Sequence, residues 1–353
     1  MPKLSIPHIR LINQQLISTN FKTTKEIVSW LGAVQAQEYN MAKWAIGTRL
    51  PNITDKQVEE DLCKGEIIRT HILRPTWHFV TKEDIHWMLQ LTAPRIKQAL
   101  NGYNKYTELE ALTIKKVTPV IVKLLSGSNH LTKQEIGEHL QAKKVDITTH
   151  QLSHILFHAE VDGVICNGAV KGKKQTYSLL EELIPRPKKF DKDEALGMLA
   201  RRFFTSHAPA TLQDFTWWSG LTLTEAKKAL EMVKSDFVSE EIDGQTYWFS
   251  NSFKGLTVDK NIAHLLPAFD EYVVSYKDRK EIFEHGYYLE VIGKNGLFKP
   301  TVMVNGQVAG MWKRVVKGKK ATVELQLFKK FSKEVKSAIA NEVEKYEKFV
   351  AGK

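Results

Sequence analysis

Hydrophobic positions along the chain fall into short helical stretches, each group of which is followed by β-like alternation. Residues 5–18 and 23–31 carry apolar side chains at helical spacing, with Thr23 or Thr24 placed to cap the second. A third helix is predicted over 54–63, started by Thr54-Asp55. The stretch 66–80 then turns to Ile, Thr, Trp, Phe and Val, with Pro75 between two strands. The order returns at 114–126, 132–141 and 148–160. There Thr132 and Glu135 spell a capping box, and Leu152, Ile155, Leu156 and Ala159 share one face. Asp162-Gly163 opens the hairpin that follows. A further copy covers 191–206, 211–219 and 222–234, with strands 238–242 and 246–249 about Asp243-Gly244. Three helices and a hairpin make a winged helix, a form of helix-turn-helix whose third helix enters the DNA major groove. Two clear copies and one degenerate copy predict a tandem array.

Beyond residue 255 the pattern changes. An apolar run over 261–279 is closed by charges. A β meander is predicted next: 301–304, a turn at Asn305-Gly306, 307–316, a basic turn at 317–320, and 322–328. Phe331, Val335, Ile339, Val343, Tyr346 and Val350 form the stripe of a closing amphipathic helix. The expected fold is α+β and mainly helical, with three winged-helix units at 1–110 (degenerate), 111–187 and 188–255, and a C-terminal β-rich element with its helix at 256–353.

Charge says what such an array binds. The 353 residues carry a net charge of +11, with pI about 9.3. That favours an acidic partner, nucleic acid ahead of membrane. Lys171, Lys173 and Lys174 sit on the second wing, and Arg186 and Lys188 on the linker after it. Thr149 and Gln151 lie near the start of one third helix, and Lys227 on the next. Lys313, Arg314, Lys317, Lys319 and Lys320 belong to a basic hairpin region where nine Lys or Arg between Met311 and Lys336 face only Glu324 and Glu334. These residues are the expected contacts to DNA phosphates and bases. No apolar run reaches the roughly 18–20 residues of a membrane span, and MPKLSIPHIR lacks a signal-peptide core. Cys63 and Cys166 form no Cys-x-x-Cys pair, so disulfide scaffolds and zinc ribbons are out. A monomer in the bacterial cytoplasm, associated with the nucleoid and not with membrane, is expected.

The chemistry is sparse. There is no Gly-x-x-x-x-Gly-Lys loop or dinucleotide fingerprint, and neither Cys lies beside an obvious base, so no cofactor is expected. His150, His154 and His158 share a helical face without a metal-ligand motif, and no metal is expected. Asp270 and Glu271, followed by Lys277 and Arg279, read as a structural ion pair. Gln35 and Gln37 are two carboxamides inside an apolar run, between Leu31, Ala33 and Val34 on one side and Met41, Trp44, Ala45 and Ile46 on the other. A buried amide costs roughly 1–3 kcal/mol unless its polar atoms find partners. The pair either caps backbone at the surface or serves a site. At i and i+2 the two point the same way on an extended backbone and nearly opposite ways on a helix. His78 shares a strand face with Thr76 and Val80. It is either a hydrogen-bonded strand histidine or a contact to a DNA phosphate or sugar.

Four stretches carry a resemblance: VQAQ at 34–37, IIRTHILRPTWHFV at 67–80, LLPAFDEYVVSYKDR at 265–279 and VNGQVAGMWKR at 304–314. Together they resemble the tandem winged-helix DNA glycosylases of the AlkZ and YcaQ type. The resemblance implies three winged helices around a concave basic channel. It also implies excision of alkylated purines from double-stranded DNA, bases joined in interstrand cross-links among them. The family signature is Gln-aliphatic-Gln in the AlkZ branch and Gln-aliphatic-Asp in the YcaQ branch. It falls on Gln35 and Gln37, with Ala36 the smallest residue the middle position could hold, and this implies the AlkZ branch with both glutamines catalytic. His78 is the next candidate. Two other readings stand beside this one: a non-catalytic winged-helix DNA-binding protein such as a regulator, and an RNA-binding protein.

Overall fold

Helices begin where threonines are placed to start them. Thr23, Thr132, Thr148, Thr211 and Thr222 each accept the N–H of the residue three positions on. Glu26, Glu135, Gln151, Asp214 and Glu225 in turn accept the N–H of the cap residue. Each box satisfies two backbone donors that a helix start leaves open. The structure is a computed structural model describing residues 5–106, 109–185, 190–250, 261–284, 286–293 and 296–352. It is an α+β fold, about half helical, with several small antiparallel sheets. The chain divides into two units, Met1–Glu59 with Leu196–Lys353, and Glu60–Ala195.

In the first unit, a four-stranded antiparallel sheet runs in the order Lys320–Leu327, Gln307–Lys317, Thr301–Val304, Ala263–Leu266. Asn305 and Gly306 turn between two of these strands at φ 51° and 82°, the left-handed pair that a two-residue hairpin needs. The closing helix Lys333–Ala351 packs on the sheet and sets Tyr346 and Phe349 each 5.1 Å, ring to ring, from Trp44. Trp44 and Trp312 anchor the edge strand Ala263–Leu266 by donating to Leu265 O and Leu266 O at 2.6 and 2.7 Å. Helices Lys192–Ser206, Leu212–Ser219 and Leu223–Val233 lead into the hairpin Val238–Ile242 and Gln245–Phe249, as the pattern predicts.

The second unit begins with the hairpin Ile67–Ile72 and Thr76–Thr81, in register from Ile67 opposite Thr81 to Ile72 opposite Thr76. Helices Ala111–Leu125, Lys133–Ala142 and Thr149–Val161 enclose a core of Ile121, Leu125, Ile136, Leu140, Leu152, Ile155 and Leu156. The hairpin Ile165–Lys171 and Lys174–Leu179 follows, with Leu131–Thr132 adding a short third strand.

Some elements depart from the pattern for physical reasons. The first helix stops at Asn13 and not at residue 18, because Gln15 takes φ 60° and Gln14 turns into a buried polar network. Helix Ile85–Tyr106, for which the pattern offered no element, runs through Pro94. Tyr39–Gly47 is a helix buried on nearly every side from Met41 to Gly47, so it shows no amphipathic period. Its Lys43 is satisfied by Asp55 and Glu59 at 2.9 and 2.8 Å. Among the described residues no helix is long and apolar enough to cross a membrane.

Candidate active site

The Gln35-Ala36-Gln37 stretch lies between two helices, on backbone that is neither. Helix Thr24–Leu31 ends at Gly32, whose φ of 79° favours glycine and whose missing Cβ leaves room for Trp218, 3.3 Å from where that carbon would sit. The chain then extends as the short strand Val34–Gln35, bends at Gln37, and enters helix Tyr39–Gly47. The extended backbone covers Val34 and Gln35 and ends before the bend at Gln37, so strand geometry does not by itself put the two carboxamides on one side. Val34 and Ala36 are buried, Gln35 is 7% exposed, and Gln37 is exposed. The stretch therefore carries one carboxamide held in the protein and one presented to solvent.

Glu271 supports it. The Gln35 N–H donates to Glu271 Oε1 at 2.7 Å across 236 residues of sequence. The other carboxylate oxygen accepts Trp218 Nε1–H at 3.1 Å and Ser275 Oγ–H at 2.5 Å, and lies 3.6 Å from His207 Nε2. Glu271 and His207 are both fully buried. Burial pushes the His207 pKa below its ordinary value, against the pull of Glu271. His207 Nδ1 is 2.8 Å from Ser206 Oγ, and Phe203 stacks on the ring at 4.9 Å.

Glu271 and Asp270 do not pair with Lys277 and Arg279. Asp270 is clasped by Arg49, NH1 to Oδ2 and NH2 to Oδ1, both at 2.8 Å with both side chains fully buried. Arg49 also donates to Gln14 O, Gln14 Oε1 and Ala45 O. Gln14 donates onward to Tyr276 Oη, which donates to His207 O. Lys277 instead gives its N–H to Asp214, and Arg279 donates to Val273 O and Val274 O. The charged pattern of 270–279 was visible in sequence, but its partners lie too far along the chain to be read from it. Arg49, His207 and Trp218 gave no signal.

His78 is placed in the strand Thr76–Thr81, fully buried, with Nδ1 3.0 Å from Thr76 O. This is the geometry of the strand-histidine reading. On the same hairpin, His71 lies 2.6 Å from Glu160 and stacks on Phe157 at 3.7 Å.

Of the expected DNA contacts, Thr149, Lys173, Lys227, Lys313, Lys317, Lys319 and Lys320 are exposed. Gln151 spends its side-chain oxygen on the Thr148 N–H, as the cap of its own helix. Lys171 and Lys174 reach Glu135 and Gln134 at 3.0 and 3.3 Å. Arg314 donates to Tyr346 Oη at 2.9 Å. Lys317, Lys319 and Lys320 come together at the tip of the long hairpin, where Lys317 faces Lys320. The other candidates are spread over separate elements. Arg186 and Lys188 lie outside the described residues. Among those residues, no group of three or more His, Cys, Asp or Glu has the geometry to hold a metal ion.

Comparison with known proteins matches this arrangement to one family. The family model described as DNA glycosylase AlkZ-like matches residues 28–349. Among solved structures, Streptomyces sahachiroi DNA glycosylase AlkZ superposes with a TM-score of 0.79 at 18% identity, covering 98% of this chain and 96% of that one. The likeness is one of fold. No curated protein matches. With a family match running from the end of helix Thr24–Leu31 to the closing helix, the chain belongs to the AlkZ-like DNA glycosylase family.

Proposed function

We propose that this chain is a monofunctional DNA glycosylase that hydrolyses the N-glycosidic bond of N7-alkylated purines, including those joined in interstrand cross-links. Its assignment to the Gln-aliphatic-Gln branch rests on Gln35 and Gln37. The observation that carries the reading is the non-helical stretch 34–37, extended at Val34–Gln35, tied down at the Gln35 N–H and opening to solvent at Gln37.

The chemistry suits two amides. An N7-alkylated purine is already cationic, so it departs without an acid to protonate it. The C1′–N9 electron pair leaves with the base, which becomes neutral. The sugar develops oxocarbenium character, water adds at C1′, and its proton passes to solvent. A carboxamide is no general base at neutral pH, but its oxygen orients a water and faces developing positive charge. Such a site is a weak catalyst, suited to activated lesions, that leaves normal purines alone. His78, buried as it is, acts by holding its hairpin.

In this reading the helix–helix–helix–hairpin groups at 111–187 and 188–255 are winged helices, 1–110 is their degenerate relative, and 256–353 completes the protein. Lys171, Lys173, Lys174, Lys227, Lys313, Arg314, Lys317, Lys319 and Lys320 contact phosphates of duplex DNA, with Thr149 and Gln151 at the groove. The surface contacts of Lys171 and Lys174 cost little to exchange for phosphate.

The test is release of base from duplex DNA carrying N7-methylguanine, read as alkaline cleavage at abasic sites. Gln37→Ala is expected to slow release by about 5- to 150-fold, roughly 1–3 kcal/mol in the barrier. Undiminished release in the variant would move the chemistry away from the glutamines. Tight binding with no release, from this duplex or one cross-linked by a nitrogen mustard, would make the chain a binding protein.

A further inference from the structure

We infer that Glu271 is a positioning residue for the reaction, setting the reach of Gln35 through that residue's own backbone N–H. The inference rests on the reading of Gln35 and Gln37 as the reacting element.

Three features of the geometry carry it. First, Glu271 is no candidate acid or base. It has no exposed surface, and its two oxygens are occupied by the Gln35 N–H at 2.7 Å, Trp218 Nε1–H at 3.1 Å and Ser275 Oγ–H at 2.5 Å. Three donors converge on one side chain, which only an acceptor-only group satisfies at every point. Second, the bond it makes falls on one of the two residues proposed to hold the water. A buried polar bridge placed there fixes the φ and ψ from which the Gln35 side chain departs. Third, the anchor is itself rigid. Glu271 follows Asp270, whose carboxylate Arg49 clasps and whose Oδ1 also accepts the Tyr272 N–H at 2.9 Å. On its other side are the buried ring of Trp218 and the His207–Ser206 pair. Gly32, two residues before the strand, packs its backbone against the same Trp218. The stretch Leu265–Arg279 thus reaches the Gln-Ala-Gln stretch at the Gln35 N–H, on one of the two proposed reacting residues.

Positional control of this kind is costly to lose. Misplacement of a reacting group by about 1 Å slows a step by as much as roughly 100-fold. Glu271→Gln keeps size and burial but turns an NH2 toward at least one of the three donors. The amide then satisfies the Gln35 N–H or the Trp218 and Ser275 pair, not both.

The experiment measures single-turnover release from an N7-methylguanine duplex, and affinity for the same duplex, for wild type, Glu271→Gln, Gln35→Ala and the double variant. Hydrogen exchange of residues 33–37 is followed in parallel. Glu271→Gln is expected to lower the single-turnover rate roughly 10- to 100-fold with affinity within about twofold, and to speed exchange of the Gln35 amide. On the Gln35→Ala background the same change is expected to cost less than about twofold further, since the group it positions is gone. Equal losses on both backgrounds, or lost affinity at unchanged rate, would show a structural role only and overturn the inference. So would unchanged exchange at residue 35. Glu271→Asp, which keeps the charge but is one methylene short of its donors, stands in if the amide variant does not fold, with the same outcomes. Wild type that releases no base would overturn the glycosylase reading and with it the positioning role, and exchange would then report only the structural bond.

Discussion

Replacing Arg49 by Met tests whether the charged cluster beneath the candidate site is as tightly bound as its geometry indicates. The guanidinium uses five N–H donors: two on Asp270, two on Gln14 and one on Ala45. Both members of the ion pair are fully buried. Methionine fills much of the volume but leaves the Asp270 carboxylate with the Tyr272 N–H in place of a full positive charge. Removing one partner of a buried pair costs about 3–5 kcal/mol, because the remaining charge is stranded out of water. Against a total stability of roughly 5–15 kcal/mol, that is a large fraction. With a urea m-value near 2 kcal/mol per molar, the unfolding midpoint should fall by about 1.5–2.5 M, followed by tryptophan fluorescence. The double variant Arg49→Met with Asp270→Leu should recover at least half of the loss, since apolar replacement of both members leaves no stranded charge. A single variant costing under about 1 kcal/mol, or a double variant no better than the single, would refute the account.

Other expectations follow from the same structure. Burial pushes the Cys166 thiol up to about 12, whereas Cys63 is exposed. A disulfide reagent at pH 8 should therefore titrate one thiol in the native protein and two after denaturation, and Cys63→Ser should abolish the fast reaction. The Glu135 carboxyl is held at about 2, below its ordinary 4.5, first by the Thr132 backbone N–H and then by Lys171. Because its folded value is depressed, its contribution is present above pH 4.5 and is lost as pH falls toward 2. Glu135→Gln should flatten the unfolding midpoint across that window, and identical slopes would count against the cap. Alanine at Lys317, Lys319 and Lys320 should lower the slope of log affinity for DNA against log salt by about 0.9 for each lysine that neutralises a phosphate; an unchanged slope would place the DNA elsewhere.

What the sequence determined by itself is what neighbouring residues decide. The capping box of Thr132 and Glu135, and the turns at Asp243-Gly244 and Asn305-Gly306, rest on interactions within three or four positions, and the structure has each of them. The same holds for the helix–helix–helix–hairpin order of 114–179 and 191–249. Tertiary structure decided the rest. Pro94 sits inside a helix, and Tyr39–Gly47 lacks a polar face because it is enclosed. Gln151 caps its helix, and His78 is buried in its strand. Charge spacing pointed Asp270 and Glu271 at Lys277 and Arg279, within ten residues. In the folded chain Asp270 pairs with Arg49 and Glu271 accepts the Gln35 N–H, each more than two hundred residues away, beside nearer donors at Tyr272, Ser275 and Trp218. A buried carboxylate takes whichever donors the packed interior brings to it, and that depends on how distant elements dock and not on the residues beside it in sequence.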